Sequence, residues 1–238
     1  TLISGASEER RRFLDWGVFH VEPDFMACAQ AFRRALRQRN ALLKLERSDA
    51  ELDGWDREVA RWGETLATTR ESYFRGYSRE LTAALAIYLP ELGEAKTRFG
   101  RGWAEGVSLG DALQETRGLD RSRGYSARGP HRADWGISFA EAPLREHLSR
   151  GQEKLCALAC VLAQARLFAD SRGEWPVIAL DDLSSELDAP HQRLVVDTLA
   201  VCKAQVLVSE IAIAECLRQT VGTQRVFHVE HGRVRYLL

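Results

Sequence analysis

Two stretches of this 238-residue chain carry side chains suited to phosphate chemistry. Leu148-Ser149-Arg150-Gly151-Gln152 stands immediately before a helical pattern. Further on, Val177-Ile178-Ala179-Leu180 runs into Asp181-Asp182 and then Ser185-Glu186-Leu187-Asp188. Four apolar residues ending in two acids form a Walker B strand. Its first acid, Asp181, can hold a magnesium-bound water. The second, Asp182, can orient or deprotonate a water attacking a γ-phosphate. A Ser-x-Gly-Gln turn at a helix N-terminus offers a hydroxyl and unpaired backbone N–H groups, which suit a phosphate. Each motif alone is weak, because apolar strands often end in acids and Ser149 serves equally as a helix cap. In this order and spacing the two are specific.

A second chemistry is polyanion binding. Arg33, Arg34, Arg37, Arg39, Lys44 and Arg47 read as one helix face opposed only by Glu46. Arg117 to Arg132 reads as a loop with five arginines and one aspartate. Arg33, Arg34, Arg37, Arg121, Arg123 and Arg128 are therefore candidates for tracking a DNA backbone. The plainer reading is a solvated helix face and a surface loop. His131 and Asp134 either reach a nucleotide or fix the loop to a sheet. Trp55 and Trp62 read as core rather than base-stacking platforms. Across the whole chain, 33 basic residues against 34 acidic ones leave a net charge of −1. That excludes a globally basic protein but not local patches. Five cysteines without a CxxC pair, with Cys156 and Cys160 on one helix face, read as core residues of a cytoplasmic protein. No zinc spacing occurs, and no apolar run reaches the ~18 residues of a membrane span.

The elements that must position these residues follow from periodicity. Leu2 to Gly5 reads as a short strand, and Ser7 as the N-cap of a helix through Asp15. Pro23-Asp24 opens a long helix with Phe25, Cys28, Phe32, Ala35, Leu36, Leu42 and Leu43 on one side. A second runs from Glu51 to Leu89 and stops at Pro90. The two read as an antiparallel pair. Leu109 to Leu119 predicts one short helix, Ile137 to Phe139 a strand, and Ser149 to Phe168 a helix. The last third alternates buried strands (177–180, 206–208) with helices (190–200, 211–219) before a hairpin at 225–236. That alternation predicts an α/β fold with a parallel sheet covered on both faces. The expected domains are residues 1–22 as a lobe edge, 23–96 as a helical insertion and 97–238 as a C-terminal lobe.

This arrangement resembles the C-terminal half of an ABC-type ATPase head, in which LSxGQ is the signature motif and closes on the nucleotide of a second subunit. The resemblance implies that Ser149, Arg150, Gly151 and Gln152 bind nucleotide in trans. It makes Ser185, Glu186, Leu187 and Asp188 the D-loop, and puts Ser209 near the switch position where transporters carry histidine. Further blocks resemble the bacterial RecF family: Arg11-Arg12-Phe13-Leu14-Asp15-Trp16-Gly17, Glu22-Pro23, Arg37-Gln38-Arg39-Asn40, Gly129-Pro130-His131-Arg132-Ala133-Asp134, LSRGQ and LDDxxSELD. This likeness runs through nearly the whole chain. It implies a cytoplasmic, ATP-dependent DNA-binding protein of recombinational repair, replication and the SOS response. Such a protein dimerises on ATP, binds double-stranded and gapped DNA, and helps load the recombinase with RecO and RecR. ATP and Mg2+ are the implied cofactors, with Asp181 on the metal.

One departure matters. No GxxxxGK[ST] occurs, and the only methionine is Met26. A P-loop supplies the phosphate cradle and its lysine. The expectation is therefore a chain whose N-terminal lobe is absent. The full-length protein would be a weak ATPase, and this chain would be inactive alone. The other readings are the nucleotide-binding subunit of another ABC ATPase, and a non-catalytic binding module. A transporter subunit would have a shorter insertion and a switch histidine, which this sequence lacks.

Overall fold

A computed structural model of the chain describes residues 2–45, 48–202, 204–213, 215–218 and 224–236. It divides into two units, Thr1–Gly173 and Glu174–Leu238. The first is built on helices α1 (Ser7–Val21), α2 (Phe25–Lys44), α3 (Asp49–Tyr88), α4 (Leu109–Glu115), α5 (Arg117–Arg123) and α6 (Arg150–Arg172), with strands β1 (Ala95–Gly100) and β2 (Asp134–Phe139). The second holds β3 (Ile178–Asp181), α7 (Leu183–Glu186), α8 (Ala189–Val201), β4 (Val206–Ser209), α9 (Glu215–Arg218), β5 (Phe227–Glu230) and β6 (Arg233–Tyr236).

The 40-residue α3 organises the first unit. Its start is a capping box in which Ser48 and Glu51 exchange side-chain and backbone hydrogen bonds. Its end is enforced by Pro90, which opens a short 3-10 turn instead. The stripe Leu52, Val59, Leu66, Tyr73, Tyr77, Leu81, Leu85 and Tyr88 is buried along it. Trp55 and Trp62 sit half-buried at its margin. Each fully buried leucine contributes roughly 1.5–3 kcal/mol of transfer free energy. Helix α2 lies antiparallel to α3: Cys28 reaches the Trp62 carbonyl, and further along α2 Arg39 reaches back to Asp56. On another side α3 packs against α6, where the Tyr77 hydroxyl donates to the Cys160 carbonyl at 3.3 Å. Cys156 and Cys160 are both buried there, on one face of α6. The helical pair thus sits inside a larger unit that also holds β1, β2 and α6.

Several expectations change. Residues 2–5 form a turn rather than a strand, and Ala6 rather than Ser7 is the N-cap of α1. The Ser7 hydroxyl instead accepts from Arg11 at 2.9 Å. Residues 95–100, not predicted as a strand, form β1 antiparallel to β2, with Phe99 opposite Trp135 and Thr97 opposite Ile137. The span 109–119 is two helices, α4 and α5, meeting at Thr116. Arg117 to Arg123 is therefore helical, Pro130–Arg132 is a 3-10 turn, and only residues 124–129 of that arginine-rich segment are loop.

In the second unit β3 and β4 pair in parallel, as the alternation requires. Their faces differ. Ile178, Leu180, Val206 and Val208 turn to the covered side, while Ala179, Asp181, Leu207 and Ser209 are exposed. Among the described residues of this unit, the coverage expected on both faces from the apolar runs is seen on one face. Among the described residues this sheet is two strands wide, with a layer on one face. Of the helix expected over 211–219, α9 (Glu215–Arg218) forms, residues 211–213 are not helical, with Ile211 exposed, and Ala214 and Gln219 lie outside the described residues. The closing hairpin turns at His231-Gly232, both with positive φ, as a two-residue turn between right-twisted strands demands.

Candidate functional site

The LSRGQ turn lies in the first unit. Ser149 caps α6 through a reciprocal box: its hydroxyl accepts from the Gln152 N–H at 3.3 Å, and Gln152 Oε1 accepts from the Ser149 N–H at 3.0 Å. The Gln152 amide also donates to Glu91 at 3.1 Å, tying the turn to the segment that follows α3. Ser149, Arg150 and Gly151 are exposed. The N–H groups of Arg150 and Gly151 belong to the first helical turn, which has no intrahelical acceptor. A Cβ on Gly151 would meet nothing within 4 Å. Glycine inside a helix costs about 1 kcal/mol relative to alanine, and no neighbour within the chain requires it here.

The Asp181, Asp182 and Ser185–Asp188 group lies in the second unit. Asp181 ends β3 directly opposite Ser209, which ends β4, and the Ser209 hydroxyl donates to its carboxylate. Asp182 adopts the left-handed conformation, φ 51° and ψ 47°, and its N–H donates to the Ser209 carbonyl at 2.9 Å. A non-glycine residue there is strained, and such strain gathers at functional turns. The turn is held from the other strand: Glu210 accepts from the Ser184 N–H at 2.9 Å and from its hydroxyl. Asp188 caps α8, accepting from the His191 N–H at 3.1 Å and pairing with its ring at 2.5 Å. Those two hydrogen bonds hold its carboxyl below the usual range. Ser185, Glu186 and Asp188 are exposed, with Leu187 half-buried.

The arginines sort into three groups. Arg33, Arg34 and Arg37 are exposed along α2. Arg39, read as part of that face, is instead fully buried, ion-paired to Asp56 at 2.5 Å and to Asp120 at 2.7 Å, with Ser126 also accepting at 2.7 Å. A buried guanidinium with two carboxylates is satisfied rather than available. Arg47 and Glu46 lie outside the described residues. Arg121 is committed to Asp49 at 2.6 Å, and Arg117 to Asp53 and Asp56. Arg123 and Arg128 are exposed. Asp134 accepts both arms of Arg10, at 2.7 and 2.9 Å, and His131 Nε2 donates to the Ser126 carbonyl at 2.9 Å. Asp134 thus ties β2 to α1, and His131 braces the loop internally.

No family model matches the chain. Curated proteins do. It is 51% identical over 234 residues to the DNA replication and repair protein RecF of Xanthomonas axonopodis pv. citri, 98% of this chain and 64% of that protein. Its relation to the RecF of Stenotrophomonas maltophilia is 48% over the same shares, and to that of Chromohalobacter salexigens 38% over 98% of the chain and 65% of the relative. The chain is a homologue of RecF. It spans 64–65% of the length of these RecF relatives. Its fold matches a solved structure of the recombination mediator protein RecF with ATP, in the RecFOR pathway, at TM-score 0.84 and 21% identity, over the whole chain and 65% of that structure. An Smc head domain from Pyrococcus furiosus matches at TM-score 0.52 and 15% identity, over 99% of the chain and 58% of that structure. The RecF-like chain thus shares the α/β fold of RecF and SMC ATPase heads.

Proposed function

We propose that this chain supplies the signature turn, the Walker B carboxylates and the D-loop of an ATP-dependent DNA-binding protein of replication and recombinational repair, and that its Ser149–Gln152 turn closes on a nucleotide held by a second subunit. The observation that carries this reading is the exposed start of α6. Ser149 and Gln152 satisfy each other, the N–H groups of Arg150 and Gly151 are left to an outside acceptor, and the space over Gly151 is open. Helix-terminal N–H groups and the positive end of the dipole suit a phosphate. The homology to RecF supports the same assignment.

Within the second unit Asp181 fits a magnesium ion. Its carboxylate is exposed at the strand end and engaged by the neutral Ser209 hydroxyl. A lone exposed carboxylate suits a cation that keeps several waters and takes one or two carboxylates plus phosphate oxygens. When bound, the ion would neutralise phosphate charge; Asp181 would orient it, and Asp182 would hold the attacking water. Exposed Arg33, Arg34 and Arg37 would meet the DNA backbone. RecR and RecO are the partner proteins this reading implies. Among the described residues no helix is long and apolar enough to cross a membrane.

The test is association. Mixed with the full-length Xanthomonas axonopodis pv. citri relative and ATP, this chain should form a one-to-one complex by light scattering. Ser149→Asp keeps the helix cap, since Asp caps as well as Ser, but sets a carboxylate against the phosphate. It should abolish the complex without lowering the melting temperature. Association that ignores ATP, or that survives the substitution, would contradict the reading.

A further inference from the structure

Pro90 ends α3 and opens the 3-10 turn Pro90–Leu92, and that turn fixes where Glu91 stands. Tyr88, Leu89 and Leu92, which flank it in sequence, are buried. The Leu92 carbonyl accepts from the Glu141 N–H at 3.1 Å, and the Glu94 carbonyl from the Ala140 N–H at 3.1 Å. The backbone around Glu91 is thus anchored, while its side chain is exposed. That side chain meets the start of α6, where Glu91 Oε1 accepts from Gln152 Nε2 at 3.1 Å.

A glutamine amide can be turned two ways, and its neighbours select one. Gln152 Oε1 faces the Ser149 N–H, from which it accepts at 3.0 Å. That leaves Nε2 to donate elsewhere, and Glu91 receives it. Reversed, the amide would set N–H against N–H at Ser149 and oxygen against carboxylate at Glu91. A carboxylate only accepts, so Glu91 penalises the reversed state. With the amide locked, the Ser149 hydroxyl accepts from the Gln152 backbone N–H and keeps its own proton for an outside acceptor. The next residue, Glu153, is engaged from outside α6 as well, by the Ser4 hydroxyl.

We propose that Glu91 is a positioning residue of the Ser149–Gln152 turn. Its carboxylate holds the Gln152 amide, and the amide holds the cap that aims the Ser149 hydroxyl and the Arg150 and Gly151 N–H groups at a nucleotide. The proposal rests on the nucleotide-contact reading above and deepens it, naming a residue that acts on the turn without touching the nucleotide. Glu91 works as an acceptor rather than as a charge. A carboxylate near a phosphate is repulsive in itself, so the bond it accepts from Gln152, and not its charge, is what favours its place here.

The experiment titrates this chain against the full-length Xanthomonas axonopodis pv. citri relative in saturating ATP, by light scattering. In parallel, hydrogen exchange follows the Ser149 amide of the free chain. Glu91→Leu removes the acceptor and should weaken association about three- to tenfold, the worth of one hydrogen bond. It should also speed exchange at Ser149. Glu91→Gln, neutral but still accepting, should keep association within about twofold of the parent. In a Gln152→Leu background, Glu91→Leu should have no further effect, since the residue through which it acts is gone. Melting temperatures of both Glu91 variants should stay close to the parent's, because the side chain is exposed. Equal association of the parent and Glu91→Leu would overturn the positioning role. Equal losses in Glu91→Leu and Glu91→Gln would assign the effect to charge and overturn it too. So would a loss of association with Ser149 exchange unchanged, or a full additional loss in the Gln152→Leu background. A parent chain that does not associate in ATP would instead contradict the underlying nucleotide-contact reading, and the positioning role would fall with it.

Discussion

The hydroxyl of Ser209 donates to the carboxylate of Asp181 across the β3–β4 ladder, joining in one register pair the residues proposed as switch and as first Walker B acid. Both residues sit on the exposed face of the strand pair, beside the left-handed turn at Asp182. Asp181 and Ser209 share that face with exposed Ala179 and Leu207, while Ile178, Leu180, Val206 and Val208 turn to the other side.

Strain at Asp182 has a consequence for stability. Asp182→Gly should be neutral or stabilising by about 1 kcal/mol, because glycine enters this region freely. Asp182→Val should destabilise by about 1–3 kcal/mol. Urea unfolding followed by a probe within residues 174–238 would measure both.

Removing Arg39 should be costly. Arg39→Leu leaves Asp120, fully buried, with its charge uncompensated, and breaking a buried pair in this way costs about 3–5 kcal/mol. Arg39→Lys should not rescue, because one ammonium cannot reproduce bonds to Asp56, Asp120 and Ser126 from a planar fork. Denaturant melts and faster amide exchange at Ser126 and Ala127 would record it.

Burial pushes the His131 imidazole down to about 4, with Arg132 and Arg11 adding to the shift against the favourable Ser126 bond. Its Nδ1 has no hydrogen-bond partner, consistent with the neutral ring. The unfolded chain binds a proton near pH 6.5 and the folded chain only near 4. The stability from this site is thus full above about pH 6.5 and is lost as the pH falls toward 4, by at most about 3 kcal/mol. Melting temperatures across that window should fall less steeply for His131→Gln.

Gly151 separates structure from function. Gly151→Ala should stabilise α6 by several tenths of a kcal/mol to about 1 kcal/mol, since the new methyl meets nothing within the chain. The same variant should weaken ATP-dependent association with the RecF relative, because the methyl occupies the space a phosphate needs. Thermal melts and light scattering on one preparation would read both.

Arg33, Arg34 and Arg37 should carry duplex affinity without carrying fold. Replacing all three by glutamine should lower the slope of log affinity against log salt by up to ~2.7, with the melting temperature unchanged. Filter binding over a salt series checks it.

Much of this is legible in the sequence. The stripes of α2 and α3, the stop at Pro90 and the paired motifs follow from spacing and side-chain type. Arg39 is misplaced when its charge alone assigns it to the solvent face. Yet Phe32, Ala35, Arg39 and Leu43 follow one another at three- and four-residue steps along a single buried face. Periodicity places Arg39 in the core and requires acids to meet it. Likewise Ala95, Thr97 and Phe99 alternate with exposed Lys96 and Arg98, a two-residue period masked by the glycines that follow. Helix α5 has no apolar stripe to announce it. It is held by the ion pairs of Arg117 and Arg121 and the buried Asp120, which are long-range interactions absent from local pattern.

The most direct measurement is amide hydrogen exchange along α6 during complex formation. With the full-length Xanthomonas axonopodis pv. citri relative and ATP present, the Arg150 and Gly151 amides, which lack an intrahelical acceptor, should become protected. With the relative and ADP they should stay unprotected. A complex that forms while these two amides exchange at their free rate would contradict the signature turn as the nucleotide contact.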